Sequence, residues 1–137
     1  MPPEEPVLSQ TAEYALRAVL FLADRGEPAS VDEIAKHLQV PRNYLSKTLY
    51  RLAQEGVLIS ARGKGGGFRL AVAPHRLKLL RVVEPFDQIS GERRCLLGRP
   101  QCSDRNPCPA HHQWRAASER VSEFFRDRTV GDLVEEP

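Results

Sequence analysis

Long apolar runs are missing from this chain of 137 residues. None approaches the ~20 residues that a membrane-spanning helix requires, so no membrane is expected among its partners. The N-terminal stretch from Met1 to Pro6 is proline-rich and acidic. It has no basic segment followed by an apolar core, so a secretory signal peptide is not expected and a cytoplasmic protein is. Cysteine is scarce too. Three residues, all within Cys95–Cys108, are too few and odd in number for a disulfide scaffold. There is no Cys-x-x-Cys and no internal repeat. The length leaves room for one compact domain with an added helix or two, not for a large two-domain enzyme. With 41% hydrophobic and 28% charged residues, wholesale disorder is excluded.

The formal charge of +2 hides a sharp partition. Residues 1–33 hold two basic and seven acidic side chains, residues 34–81 ten basic and one acidic, and residues 82–137 eight basic and ten acidic. A basic block between acidic flanks is the footprint expected of a protein that meets a polyanion such as DNA; the plainer reading is a solvated basic face.

The basic block coincides with a recognisable pattern. A first helix is expected from about Ser9 to Ala23, with Ala12, Ala15, Leu16, Val19, Leu20 and Leu22 at helical spacing, broken by Gly26 and Pro28. Ser30-Val-Asp-Glu33 is a capping box that opens a short second helix carrying Ile34, Ala35 and Leu38. Pro41 suits the first turn of a third helix, where Leu45, Leu49 and Leu52 form the apolar side and Gly56 the stop. Val57–Ser60 reads as a strand, Arg62–Gly67 as a hairpin tip, and Phe68–Val72 as the return strand, with Pro74 ending it. Two short helices and a hairpin make a winged helix-turn-helix. Residues 77–84 read as a further helix and residues 90–110 as a long loop. A last helix is expected from about His111 to Arg126, with Trp114, Ala117, Val121, Phe124 and Phe125 along one side, suited to packing on another surface. The chain thus divides into a disordered leader (1–7), a winged helix-turn-helix (8–74) and a sensor and dimerisation region (75–137). The fold class is mainly α with a small β-hairpin wing and a long C-terminal helix.

In such a fold the third helix reads DNA. Arg42, Asn43, Tyr44, Ser46, Lys47 and Arg51 lie on it. Asn43 and Ser46 sit near its N-terminus, where base edges are met, and an asparagine can pair twice with adenine. Lys47 and Arg51 suit phosphates. Tyr44 suits either the core or a phosphate. In the wing, Arg62, Gly63, Lys64 and Arg69 surround a glycine run that permits close backbone approach, and an arginine there suits a narrow minor groove. Double-stranded DNA is the expected partner.

The cysteines follow Cys95-x6-Cys102-x5-Cys108-x2-His111. Thiolates are soft ligands for zinc and iron–sulfur clusters. Structural zinc sites favour closer pairs, so the wide spacing better suits a bulkier cluster held by cysteines. Three thiolates leave one ligand position open, and His111 or His112 is at hand. Three free thiols in a loop is the bland alternative. A thiol enzyme would need a nucleophile paired with a base or a resolving cysteine, and neither pattern is present, so no enzyme is expected.

With these residues placed, the chain resembles the bacterial winged-helix regulator family of IscR, the iron–sulfur cluster regulator, and NsrR, the nitric-oxide-sensing repressor. The matching stretches are Glu13-Tyr-Ala-Leu-Arg17, Pro41-x-x-Tyr-Leu-x-Lys-x-Leu49, Gly56-x-Leu-x-Ser-x-Arg-Gly-x-x-Gly-Gly-Phe-x-Leu-Ala71 and His-x-x-Trp-Arg around Trp114. The resemblance spans Leu8 to Leu133. It implies a homodimer crossed by the long C-terminal helix and binding to a roughly palindromic promoter site, as a repressor. It also implies a 2Fe–2S or 4Fe–4S cluster on Cys95, Cys102 and Cys108, sensing cluster status, nitric oxide or redox stress. His111 matches the histidine ligand of the family pattern, and Glu13 aligns where some members supply a carboxylate from the other subunit. A first-turn acid such as Glu13 also favours the helix dipole. The first cysteine spacing, x6, departs from the x5 of the best-known members. A cluster-free regulator gated by a thiol switch, zinc or a protein partner is the alternative.

Overall fold

The computed structural model describes residues 7–61, 66–87 and 95–135. Helix α1 (Gln10–Arg25) starts where the Ser9 hydroxyl accepts the Ala12 amide at 3.1 Å. It runs two residues past the expected Ala23, because the left-handed turn that stops it falls at Gly26. Its inward side is Ala12, Ala15, Ala18, Val19 and Leu22. Small side chains along one stripe let α3, α4 and α6 pack closely on this single helix.

Helix α2 (Val31–Leu38) opens on the expected capping box. The Glu33 amide donates to Ser30 Oγ at 3.1 Å, and the Ser30 amide to the Glu33 carboxylate at 3.2 Å. That amide, with Arg25 at 2.9 Å, holds the Glu33 carboxyl below its ordinary pKa. Helix α3 (Arg42–Gln54) buries Leu45, Thr48, Leu49 and Leu52. Pro41 is its N-cap rather than part of the first turn, with extended backbone and a carbonyl that accepts the Leu45 amide at 3.0 Å. Gly56, one residue past the C-cap, takes the left-handed φ of 78° that ends the helix cheaply.

The wing strands β1 (Leu58–Ala61) and β2 (Gly67–Leu70) pair antiparallel with Ser60 opposite Phe68. Strand β1 begins one residue later than expected, because the Val57 amide still bonds back to Leu52 at the end of α3. Strand β2 closes at Leu70, two residues short of Val72. On its other edge Phe68 exchanges two backbone hydrogen bonds with Ala29, at 2.8 and 3.0 Å. That third partner brings the chain so close that a Cβ on Gly67 would lie 2.4 Å from the Ala29 carbonyl oxygen. With φ at 124° as well, only glycine fits.

A 3-10 turn (Pro74–Arg76) follows, absent from the sequence expectation. Helix α4 (Leu79–Val83) is shorter than the expected 77–84 because Lys78 is drawn into an isolated bridge with Thr129. The Leu79 amide reaches the Arg128 carbonyl at 2.9 Å and the Val130 amide the Leu77 carbonyl at 2.8 Å. Helix α5 (His111–Asp127) ends at this clamp, one residue beyond the expected Arg126. Helix α6 (Val130–Glu135), unforeseen, returns onto α1 and the 3-10 turn. Its start is capped reciprocally by Thr129 and Asp132, at 2.9 and 3.2 Å. One apolar core joins α1–α4, the wing, Phe125 and Val130.

Candidate nucleic-acid interface and thiolate centre

The apolar spacing of α3 turns Leu45, Leu49 and Leu52 inward, and this leaves Arg42, Asn43, Lys47, Tyr50 and Arg51 outward. Ser46 is half-buried. Arg42 Nε contacts Asp32 at 2.5 Å, and Arg51 Nε contacts Glu55 one turn on at 3.0 Å. Both pairs are exposed, so they contribute little energy and compete weakly with another anion. Tyr44 is a bridge to α1: its hydroxyl lies 2.8 Å from Thr11 Oγ1 and its ring meets Tyr14 edge-on at 5.5 Å. Arg17 donates to the Leu38 carbonyl at 2.8 Å, so the Glu13–Arg17 stretch couples α1 to α2 and α3. Arg69 is exposed on β2 opposite Ile59. Arg62, Gly63 and Lys64 lie outside the described residues. Tyr50, which sequence reasoning did not single out, stacks edge-on against Phe68 at 5.4 Å and links α3 to the wing.

The cysteine segment folds through local turns. The Gly98 amide bonds to the Cys95 carbonyl, Ser103 and Asn106 close a second turn, and the His111 amide bonds to the Cys108 carbonyl at the start of α5. These turns bring the three thiols together: all sulfurs lie within 4.8 Å of one another. Cys95 and Cys108 are 3.7 Å apart, Cys108 is buried, and the other two are half-buried. The backbone amide of Arg99, aided by that of Leu97, stabilises the Cys95 thiolate and lowers its pKa to about 7. For Cys102 the Cys108 amide also favours the thiolate, but burial and the two neighbouring thiols outweigh it and raise the pKa.

His111 adjoins one member of this group, Cys102. Its Nδ1 lies 3.2 Å from Cys102 Sγ and its Nε2 2.8 Å from Asp104 Oδ1. Arg115, and secondarily His111, hold the Asp104 carboxyl at a pKa of about 2. Asp104 was not singled out in the sequence, and Arg115 entered only as the last residue of the His-x-x-Trp-Arg stretch, with no role. The available signal was the spacing of Arg115 four residues after His111, which places both on one helix face. His112 is exposed, close to Asp104 and His111 rather than to the thiols. Glu13 is exposed in the first turn of α1 and belongs to no described group of clustered ligands. The donor set is soft, convergent and partly shielded, and it fits a thiolate-bound metal or iron–sulfur cluster.

On α5 the inward face is Ser118, Ser122 and Phe125. The expected apolar side is displaced from it: Trp114 and Val121 are half-buried, while Ala117 and Phe124 are exposed. Phe125 alone of the five is buried.

Comparison with known proteins agrees with this architecture. The Rrf2 family profile, described as an iron-dependent transcriptional regulator, matches residues 8–136. An Aquifex aeolicus protein named as a candidate HTH-type transcriptional regulator is 36% identical over 131 residues, covering 93% of this chain and 91% of its own. IscR of Yersinia pseudotuberculosis is 30% identical over 129 residues, covering 93% and 78%. In fold, the global cysteine regulator CymR of B. subtilis superposes with a TM-score of 0.75 at 23% identity, covering 95% of this chain and 97% of its own. IscR of T. potens gives 0.73 at 21%, covering 95% and 87%. These neighbours are winged-helix regulators, and the family and its relatives are regulators rather than enzymes. The chain belongs to the Rrf2 family of transcriptional regulators.

Proposed function

We propose that this protein is an iron–sulfur-cluster-binding repressor that acts in the cytoplasm as a homodimer on double-stranded promoter DNA. The observation that carries the reading is the convergence of Cys95, Cys102 and Cys108 within 4.8 Å, beside His111, on an Rrf2 fold. The three thiolates and His111 Nδ1 would hold the cluster. Glu13 of the other subunit is the less favoured fourth ligand, because His111 already adjoins Cys102. A cluster bound there supplies iron that reacts with oxidants and nitric oxide. Residues 8–74 would form the reader and residues 75–137 the sensor and dimer region. The displaced apolar stripe Trp114, Ala117, Val121 and Phe124 supports a pairing surface on α5. On DNA, Asn43 and Ser46 would meet base edges, Arg42, Tyr44, Lys47 and Arg51 the backbone, and Arg62, Gly63, Lys64 and Arg69 the wing's groove.

Anaerobic reconstitution with iron and sulfide tests the cluster directly. Visible absorption and about two or four irons per chain are expected; a colourless, iron-free protein overturns the cluster while leaving DNA binding standing. For the DNA face, Lys47→Ala should weaken promoter binding and reduce the salt slope by about one; unchanged binding overturns the helix assignment.

One observation favours a second reading, the thiol switch. Cys95 and Cys108 lie 3.7 Å apart, with Cys95 held at a pKa of about 7. Peroxide would take two hydrogens from the thiols, forming one disulfide and two waters. A loss of two mass units confined to a peptide pair containing both cysteines, with altered DNA binding and no iron uptake, selects this reading over the first.

A further inference from the structure

The chemistry of a histidine ligand depends on which ring nitrogen carries the proton, because neutral imidazole has one N–H and one lone pair. At His111 the geometry determines this. Nε2 faces Asp104 Oδ1 at 2.8 Å, and an ionised carboxylate only accepts hydrogen bonds, so Nε2 is the protonated nitrogen. In the neutral ring the lone pair then sits on Nδ1, which lies 3.2 Å from Cys102 Sγ. The carboxylate is fixed in turn, since its second oxygen receives Arg115 Nη1 at 2.5 Å. His111 and Arg115 stand one turn apart on α5, so Asp104 in the loop is gripped by two side chains of one helix face. The His111 side chain is 14% exposed against 59% for Asp104. The ring is enclosed, and the carboxylate holds it from the rim.

We propose that Asp104, braced by Arg115, is a positioning residue that fixes the tautomer and orientation of His111 and presents Nδ1 to the thiolate triad. Carboxylate partners of ligating histidines act this way at metal centres, and removing one commonly weakens the site 10–100-fold. The assignment rests on the cluster reading above. It gives Asp104, and Arg115 through it, a role exerted on His111. The loop carboxylate and the first two turns of α5 thereby become one unit with the cluster ligands.

The test uses the full-length chain and its variants Asp104→Ala, Asp104→Asn, His111→Ala and the double variant Asp104→Ala/His111→Ala, each checked for native helix content. After anaerobic reconstitution with iron and sulfide, the decay of visible absorption under a chelator is timed. Asp104→Ala should shorten the cluster lifetime about 10-fold or more. Asp104→Asn, whose amide oxygen can accept the same Nε2–H, should keep most of it. The double variant should be no worse than His111→Ala, because two residues acting through one contact are not additive. In the metal-free protein, imidazole nitrogen NMR should show the Nε2–H tautomer, giving way to a mixture in Asp104→Ala. An unchanged lifetime in Asp104→Ala, additive losses in the double variant, or a proton on Nδ1 in the wild type would each overturn the assignment. A wild type that forms no cluster fails at the earlier step and removes the cluster and the positioning role together; a wild type that forms one while Asp104→Ala matches it removes the positioning role alone.

Discussion

The winged helix and the cysteine loop are built by different physics. In the winged helix, fully buried side chains such as Ile34, Leu45, Leu49, Leu52 and Val57 interlock around α1. In residues 95–110 only Cys108 is buried, and the path of the chain is set by tight turns and by polar contacts around Asp104, Asn106 and His111. Apolar burial is worth roughly 25 cal/mol per Å² and is hard to undo locally, whereas exposed polar contacts are each worth little. The contrast suits a regulator. The winged helix is held by its own apolar core, and the cysteine loop by few buried contacts, so a ligand on the proposed thiolate site would contribute a large share of the loop's order.

The largest expected effect sets the two regions directly against each other. At one fixed concentration of metal-free protein, Leu49→Ala should cost about 3 kcal/mol in thermal unfolding, whereas Cys102→Ser, at a half-buried site, should cost under about 1 kcal/mol. Equal losses would break the distinction. A second, smaller effect probes backbone rather than side-chain packing in the winged helix, the head of the molecule. Gly67→Ala must adopt φ near 124° with its Cβ pressed on the Ala29 carbonyl, and should destabilise by more than about 1 kcal/mol. A neutral result would mean the wing edge yields as easily as the loop. The smallest effect concerns Asp132. Hydrogen bonding from the Thr129 amide holds its carboxyl below the usual value of 3.8. A lowered folded-state value means the cap's contribution is complete above the unfolded pKa of about 3.9 and is lost as pH falls through the lowered value. Wild type should therefore exceed Asp132→Asn in melting temperature at neutral pH, and the gap should narrow in acid. A gap that widens in acid would reverse the assignment.

The head was legible because its signals are local. The Ser30–Glu33 box, the Leu45-Leu49-Leu52 spacing and the glycine-rich tip each specify an element within a few residues. Even there, boundaries moved where a distant strand or cap intervened, as at Val57 and Lys78. The thiolate set was legible as residue types, but their convergence was not, since it depends on turns that pair Cys95 with Cys108 across thirteen positions. Asp104, and the role of Arg115 beside it, were missed because they depend on contacts made across the loop, from Asp104 to His111 and to Arg115. Helix α6 was missed although its Thr129-x-x-Asp132 start carries the same kind of capping signal that revealed α2. Its six residues after a long helix offered no periodicity to prompt the search.

The bridge between Lys78 and Thr129 has a mechanical meaning. It pins the C-terminal end of α5 to the rim of the head, while the opposite end of that helix carries His111 and the thiolate loop. Seventeen residues at 1.5 Å per residue make a rigid arm of about 25 Å. With such a fulcrum, a displacement of about 2 Å at the His111 end corresponds to a tilt of about 5° along the whole arm. A displacement at the sulfurs would therefore reach the head as a change of angle, and the apolar stripe runs along the arm from Trp114, near the end that swings most, to Phe124, close to the pivot.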